Sequence, residues 1–377
     1  MNLKEIFRRA VSILFIVSIL SFAAITHAEI YTGEGSYVMS DGENLSVAKE
    51  RAKADAMQNA QEKAGTYIQR VSKTKNFELV EDEVIAISSS IVKLIENPYF
   101  YPVEKVANLG GFLIRVTVKV QIDNANIIGW LNKDEQEKST LVAQNDALRK
   151  ANAEQARQIA ELKRQFANKP QDQLANNPQE KERITQAFAA EDKIFLSNQK
   201  VEEANRLLEN RKYNLAISIF HEALELNPNN SLAWYGLGIA TIQSNNSNNR
   251  ETNKIAIQYL DKSIQLNPNF DDAYRWRGLA YGRIGQTEQE IQNLDKAIQL
   301  NPNNHYAYYN RGRAYYALRV SGKDNLRMAF QDFNKAIQLK PNFASAYQYR
   351  GFCYRSLGDR KKAQADDAKF RELRYKR

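Results

Sequence analysis

A chain of 377 residues with 26% charged and 43% hydrophobic residues is long for a single core and too apolar for a disordered segment, so two or three globular units are expected. The net charge of +9 is unevenly placed: Lys plus Arg against Asp plus Glu stands at 11 to 14 over residues 29–130 and at 28 to 18 over residues 197–377. A lone cysteine, Cys353, excludes an intramolecular disulfide, and three histidines without metal-type spacing leave little from which to build a catalytic or metal site.

The first 28 residues read as a secretory signal peptide. Lys4, Arg8 and Arg9 precede the apolar run AVSILFIVSILSFAAI, and Thr26-His27-Ala28 supplies a small residue for cleavage after Ala28. An uncleaved anchor is the alternative, although the 16 apolar residues fall short of the roughly 20 that span a bilayer. The expected location is the periplasm or cell envelope.

Residues 29–130 read as a small α+β domain. EIYTGEGSYVM alternates as a strand does, and SVAKERAKADAMQNAQEKAG reads as a helix stopped at Gly65 by a left-handed C-cap. Ala48, Ala52, Ala56 and Ala60 recur every four residues, a stripe that lets a helix lie close on a sheet. A second strand is expected over Thr66 to Thr74 and a second helix over Glu81 to Ile95. A closing hairpin pairs Tyr99 to Ala107 with Phe112 to Ile122. Gly33-x-Gly35 lacks the third glycine of a phosphate loop and is read as strand flexibility. The opening Gly33-Glu34-Gly35, the alanine-rich helix and the strand RVTVKVQID resemble the N-terminal domain of flagellar assembly protein T and the related small bacterial envelope lipoproteins. That resemblance implies a place in an envelope or flagellar-type assembly. The lipidated cysteine of the lipoproteins is absent, so membrane attachment does not carry over.

Residues 134–167 read as a central coiled coil. Leu141, Leu148 and Leu162 share one heptad position with Gln155, while Asn145, Asn152, Ile159 and Phe166 occupy the partner position. Such a seam would join copies of the chain into a homo-oligomer, whereas a solvated spacer helix is the simpler alternative. Residues 168–196 read as a Pro-, Gln- and Asn-rich linker followed by helix.

Over residues 197–377 the chain repeats itself. Pro228, Pro268, Pro302 and Pro341 are spaced by 40, 34 and 39 residues, and Gly238, Gly278, Gly312 and Gly351 each follow one of them by ten. With Trp234, Tyr274, Tyr308 and Tyr347 as aromatics, and with Ala216, Phe220, Ala223 and Ala329, Phe333, Ala336 in second helices, this segment resembles tetratricopeptide repeat proteins. The resemblance implies an all-α solenoid of stacked helical hairpins. Two insertions, SNNSNNRETN and RVSGKDN, lengthen the turns inside repeats and fall on one edge. Glu290 stands where an alanine is usual, and a looser contact is expected there. Asp366 and Asp367 mark the last helix as a solvating cap. Arg277, Arg311 and Arg350 occupy a position where many repeats have Leu, and Asp332 and Asp366 are placed to pair with the last two.

Tetratricopeptide proteins generally bind extended peptides along their first helices. Steps of i, i+4 and i+7 along those helices give a groove of Asn205, Tyr235, Arg275, Leu279, Arg283, Tyr309, Arg313, Tyr316, Gln348, Phe352 and Arg355. An aromatic and cationic lining suits a peptide with acidic side chains or a free carboxylate. The full Lys-Asn-Asn-Lys-Arg clamp of chaperone-binding relatives is missing. The reading is therefore an exported envelope scaffold or adaptor, not an enzyme, with no cofactor and no nucleic-acid partner. The alternative is a basic protein that binds envelope polymers or a membrane surface through general charge.

Overall fold

The structure is a computed structural model that describes residues 28–40, 43–74, 79, 81–106, 111–131, 135–167, 178–244 and 249–375. The segment expected to be a signal peptide lies outside the described residues but for Ala28. The chain divides into two compact units, one of residues 1–149 and 153–192, the other of residues 150–152 and 193–377.

The first unit is a sheet with helices on one face. β1 (Glu29–Ser40) pairs antiparallel with β5 (Gly111–Ile122) along its whole length, from Glu29 opposite Ile122 to Ser40 opposite Gly111. The other side of β5 takes three short strands, β2 (Lys93–Leu94), β3 (Tyr99–Phe100) and β4 (Glu104–Val106), all antiparallel. Alternation along β5 sets the core: Ile114, Val116, Val118, Val120 and Ile122 are buried, while Arg115 and Lys119 are exposed.

α1 (Leu45–Thr74) lies on that core, and its alanine stripe, extended to Ala64, is completely buried. Gly33 and Gly35 are glycines because of this approach and not for flexibility. A Cβ on Gly33 would stand 2.0 Å from the Ala56 carbonyl oxygen, and one on Gly35 would stand 2.3 Å from the Ala56 nitrogen. The expected stop at Gly65 is also corrected, since α1 runs through it to Thr74 and absorbs the expected second strand. Gly65 instead makes room for α2 (Glu81–Ile91), whose Val84 Cγ1 lies 3.2 Å from where a Cβ would sit. Tyr67, Ile68 and Ser72 are buried at helical spacing, so the apolar residues of this stretch serve a helix face as well as they would a strand.

Backbone groups on the outer side of β1 are occupied by side chains. Ser36 N donates to Asp55 (3.0 Å), Lys63 donates to the Thr32 carbonyl (2.8 Å), Ser40 N donates to Glu43, and Lys163 donates to the Val38 carbonyl. Glu43, whose side chain is fully buried, also accepts from Tyr37 Oη (2.6 Å) and pairs with Arg51 (3.2 Å) and Lys163 (3.4 Å).

α3 (Asn124–Leu131) buries Trp130 in the core of the first unit, against α1 and α2, and leads to α4 (Glu135–Ala167). Along the expected seam Leu141 joins the core of the first unit, Leu148 and Ile159 are buried, and Gln155 Nε2 donates to the Glu191 carbonyl at 2.9 Å, while Asn152 is exposed and Leu162 half-buried. The segment expected as a coiled coil is thus one continuous helix that makes contacts within its own chain.

The second unit is a stack of helices. The later part of α5 (Pro178–Glu209) starts it, followed by α6 (Tyr213–Leu226), α7 (Ser231–Ser244), α8 (Arg250–Leu266), α9 (Asp271–Arg283) and α10 (Thr287–Leu300). It continues through α11 (His305–Ala317), α12 (Lys323–Leu339), α13 (Ala344–Ser356) and α14 (Arg360–Tyr375), each helix packing on the next. Short turns inside repeats need a left-handed residue, supplied by Arg211 (φ 56°), Gly285 (φ 81°) and Gly358 (φ 81°). Asn-Pro turns between repeats stop one helix and cap the next; Asn230 Oδ1 accepts from Leu232 N and Ala233 N at 3.1 and 3.2 Å. Gly312 holds the place of a side chain that Phe333 fills, its ring carbon 2.8 Å from the position of a Cβ. Among the described residues no helix is long and apolar enough to cross a membrane, and no cluster of His, Cys, Asp or Glu could hold a metal ion.

Candidate functional site

The arginines that precede the repeat glycines form a ladder. Arg311 donates from Nε and Nη2 to Asp332 of its own second helix (2.9 and 2.7 Å) and from Nη1 to Asp295 of the preceding one (2.6 Å). Arg350 makes the same fork to Asp366 (2.8 and 2.7 Å), with Asn334 (2.8 Å) on the preceding helix. Arg277 reaches Asn293 (2.7 Å) and Asp261 (2.6 Å). Each guanidinium also lies over the tyrosine three residues earlier, at 5.2 Å for Tyr274, 5.6 Å for Tyr308 and 5.2 Å for Tyr347. The ladder binds neighbouring repeats together and is structural. Asp366 is consequently buried and paired, a correction to its reading as a solvating residue.

Four of the expected groove residues do not line a surface. Arg275 is fully buried, its Nε donating to Asp272 and its guanidinium carbon 5.0 Å from the Trp276 ring centroid and 5.7 Å from that of Tyr306. Tyr235 is buried with its hydroxyl donating to the same Asp272, and its ring packs on Phe270 at 4.5 Å. Asn205 and Leu279 are buried as well. The helical step identified their side of each helix, but large neighbours such as Trp276, Tyr306 and Phe270 fill the space in front of it.

The remaining residues converge on α11 and α13. Tyr309, Tyr316 and Phe352 are half-buried and surround Tyr349, with ring centroids 5.6, 6.3 and 5.3 Å from it. Tyr349 was missed by the stepping rule because it follows Gln348 by one residue, and only its aromatic character marked it. Arg313 lies over the faces of both Tyr309 (5.7 Å) and Tyr349 (5.5 Å). Unlike the ladder arginines it forms no hydrogen bond or ion pair among the described residues. Arg355 is exposed, covers Phe352 at 4.9 Å and pairs with Asp367 at 2.6 Å. Gln348 is half-buried on the same helix as Tyr349.

At the end of α9, one repeat earlier, Arg283 Nη1 donates to the Ile242 carbonyl at 3.0 Å. Burial, with the Arg313 charge acting in the same sense, lowers the pKa of Arg283. Glu290 folds over Gly282, where a Cβ would stand 2.4 Å from its carboxylate oxygen. The expected loose contact at this position is therefore filled. Burial raises the Glu290 carboxyl to about 7 against the opposing pull of Arg313. Three guanidinium groups, of Arg283, Arg313 and Arg355, one hindered carboxyl and four aromatic rings thus lie together. Cys353 lies beneath them, with burial pushing its thiol up to about 12, so it is an inert packing residue.

Family models described as tetratricopeptide repeat match residues 201–246 and 259–292, and one described as TPR repeat matches residues 284–318. No curated protein matches the chain. Among solved structures, MamA is 26% identical over 45% of this chain and 93% of its own, with a TM-score of 0.39. MamA from Desulfovibrio magneticus RS-1 is 25% identical over 48% and 95%, with a TM-score of 0.39. YrrB, titled a TPR protein with an unusual peptide-binding site, is 23% identical over 46% and 84%, with a TM-score of 0.36. Repeat spacing, the alternating helices and these matched segments together establish that the C-terminal half of the chain carries tetratricopeptide repeats.

Proposed function

We propose that this protein is an exported, non-enzymatic scaffold of the cell envelope whose repeats hold an acidic peptide segment of a protein partner against the α11–α13 face. The observation that carries the reading is Arg313, a half-buried cation flanked by two tyrosine rings that forms no ion pair among the described residues, while every ladder arginine has a carboxylate partner. A peptide carboxylate would complete it with a charge-assisted hydrogen bond, and the surrounding rings would supply apolar contact. Export is supported by the basic, apolar and small-residue order of residues 1–28. A place in an envelope assembly is supported by the resemblance of residues 29–130 to the flagellar and lipoprotein domains.

The test is a peptide array graded in acidic content, probed with the mature chain and with its Arg313→Glu variant. Acidic peptides should bind the wild type, and the variant should lose binding by about 2 kcal/mol, roughly thirtyfold. Equal binding by both proteins would remove Arg313 from the site and the reading with it.

A further inference from the structure

The turns that join the first helix of each repeat to the second fall at one end of the stack, because helices linked by short turns run antiparallel and each packs on the next. The Asn-Pro turns fall at the other end. These two ends differ in chemistry. The four Asn-Pro-type turns are built of asparagine, proline and phenylalanine, and Lys340 is the single basic residue among them.

The opposite end carries exposed cations and exposed aliphatic tips side by side. In the 3-10 turn after α11, Val320 is 85% exposed beside the exposed Arg319. The next turn of this kind presents Leu357, 60% exposed, followed at the start of α14 by exposed Arg360 and Lys361. Leu215, just past the first turn, is 56% exposed. Three acids at this end are engaged locally, Glu251 with Lys254 (3.0 Å), Asp324 with Arg327 (3.7 Å) and Asp359 with Lys362 (3.1 Å), while the exposed Glu288 in the first turn of α10 stands outside any ion pair; Arg319, Arg360 and Lys361, on the two turns that follow, also carry none among the described residues.

We propose that this end of the repeat stack docks on an anionic phospholipid surface. Val320 and Leu357 enter the headgroup region while Arg319, Arg360 and Lys361 meet the lipid phosphates. Charge alone would serve a soluble polyanion equally well. The aliphatic tips decide for lipid, because a side chain held out in water at the apex of a turn gains nothing from a hydrophilic polymer and is removed from water by a bilayer interface. This surface adjoins the peptide site, since Arg319 covers the Tyr316 ring at 4.3 Å, but Arg313 itself lies in the body of α11 and not at its end, so its substitution tests the peptide site alone.

The test is flotation of the mature chain with vesicles of phosphatidylcholine, with and without phosphatidylglycerol, alongside binding to dextran sulfate. Wild type should float only with the anionic vesicles and should be released when salt rises from about 0.1 M to about 1 M, where the screening length falls from roughly 10 to 3 Å. Val320→Asp with Leu357→Asp should weaken vesicle binding about tenfold or more and leave dextran sulfate binding intact. Arg319→Glu, Arg360→Glu and Lys361→Glu together should weaken vesicle binding about a hundredfold. An environment-sensitive dye on Val320→Cys, installed while Cys353 stays buried, should shift to the blue on anionic vesicles. The proposal is overturned if the aspartate pair floats like wild type, if neutral vesicles bind equally, or if the dye stays in water. Arg313→Glu should float normally, so failure of the peptide reading and failure of this one give different results.

Discussion

Glu290 shows what one buried carboxyl does to a repeat. Its folded pKa of about 7 lies above the ordinary Glu value near 4.5, so between those two pH values the folded chain holds a proton that the unfolded chain has released. Stability contributed by this proton is complete below about 4.5 and is lost as pH rises through 7. The cost at pH 8 is on the order of 3 kcal/mol. Glu290→Gln should remove it. Urea midpoints compared at pH 5 and pH 8 should show the variant gaining on the wild type as pH rises. A constant difference between the two proteins would mean that the carboxyl is ordinary. The position was visible in the sequence as an acid in place of alanine. Its burial was not, because the space that receives it is made by Gly282 eight residues earlier on another helix.

At the scale of elements, the glycines of β1 are the most sensitive points of the first unit. A Cβ on Gly35 meets the backbone of α1 and not a movable side chain, so Gly35→Ala should cost about 3 kcal/mol or more by forcing the helix off the sheet. Circular dichroism through a thermal melt would register this, and an unchanged midpoint would show that α1 stands further from β1 than described. The alanine stripe and the alternation of β5 were legible because they are periodic within one element. Gly65 misled because a glycine that ends a helix and a glycine that admits a crossing helix look alike in one dimension. The heptads of α4 announced a helix, but a pattern that marks an apolar seam does not say whether the second surface comes from another copy or from the same chain. Groove residues were legible by face but not by depth. Tyr235 and Arg275 sit on the predicted side of α7 and α9, yet neighbours of comparable size close over them.

Across the whole repeat array, energy is expected to add up from each hairpin and its contact with the next. The arginine ladder is one such contact, because each guanidinium holds the second helix of its own repeat and of the one before. Asp332→Ala leaves Arg311 one-sided in a largely buried place and should cost about 3 kcal/mol. Replacing Arg311 and Asp332 together by leucine should cost far less, since apolar residues of similar volume need no counter-charge. Chemical denaturation of the single and double variants checks both values, and a double variant worse than the single one would show that Asp295 depends on the same arginine. Spacing of the arginines announced the ladder, because their period is that of the repeat itself.

The outer side of β1 limits how the first unit can meet anything else. An exposed strand with free amides is an open invitation to another polypeptide, which can extend the sheet by simple zippering. Here Asp55, Lys63, Lys163 and Glu43 have taken amide or carbonyl groups along that border. A visitor arriving edge-on would have to evict charged side chains before gaining its first rung, so recognition by this unit falls to the broad side of its sheet or to its helices, and runaway strand-to-strand growth is checked at the start.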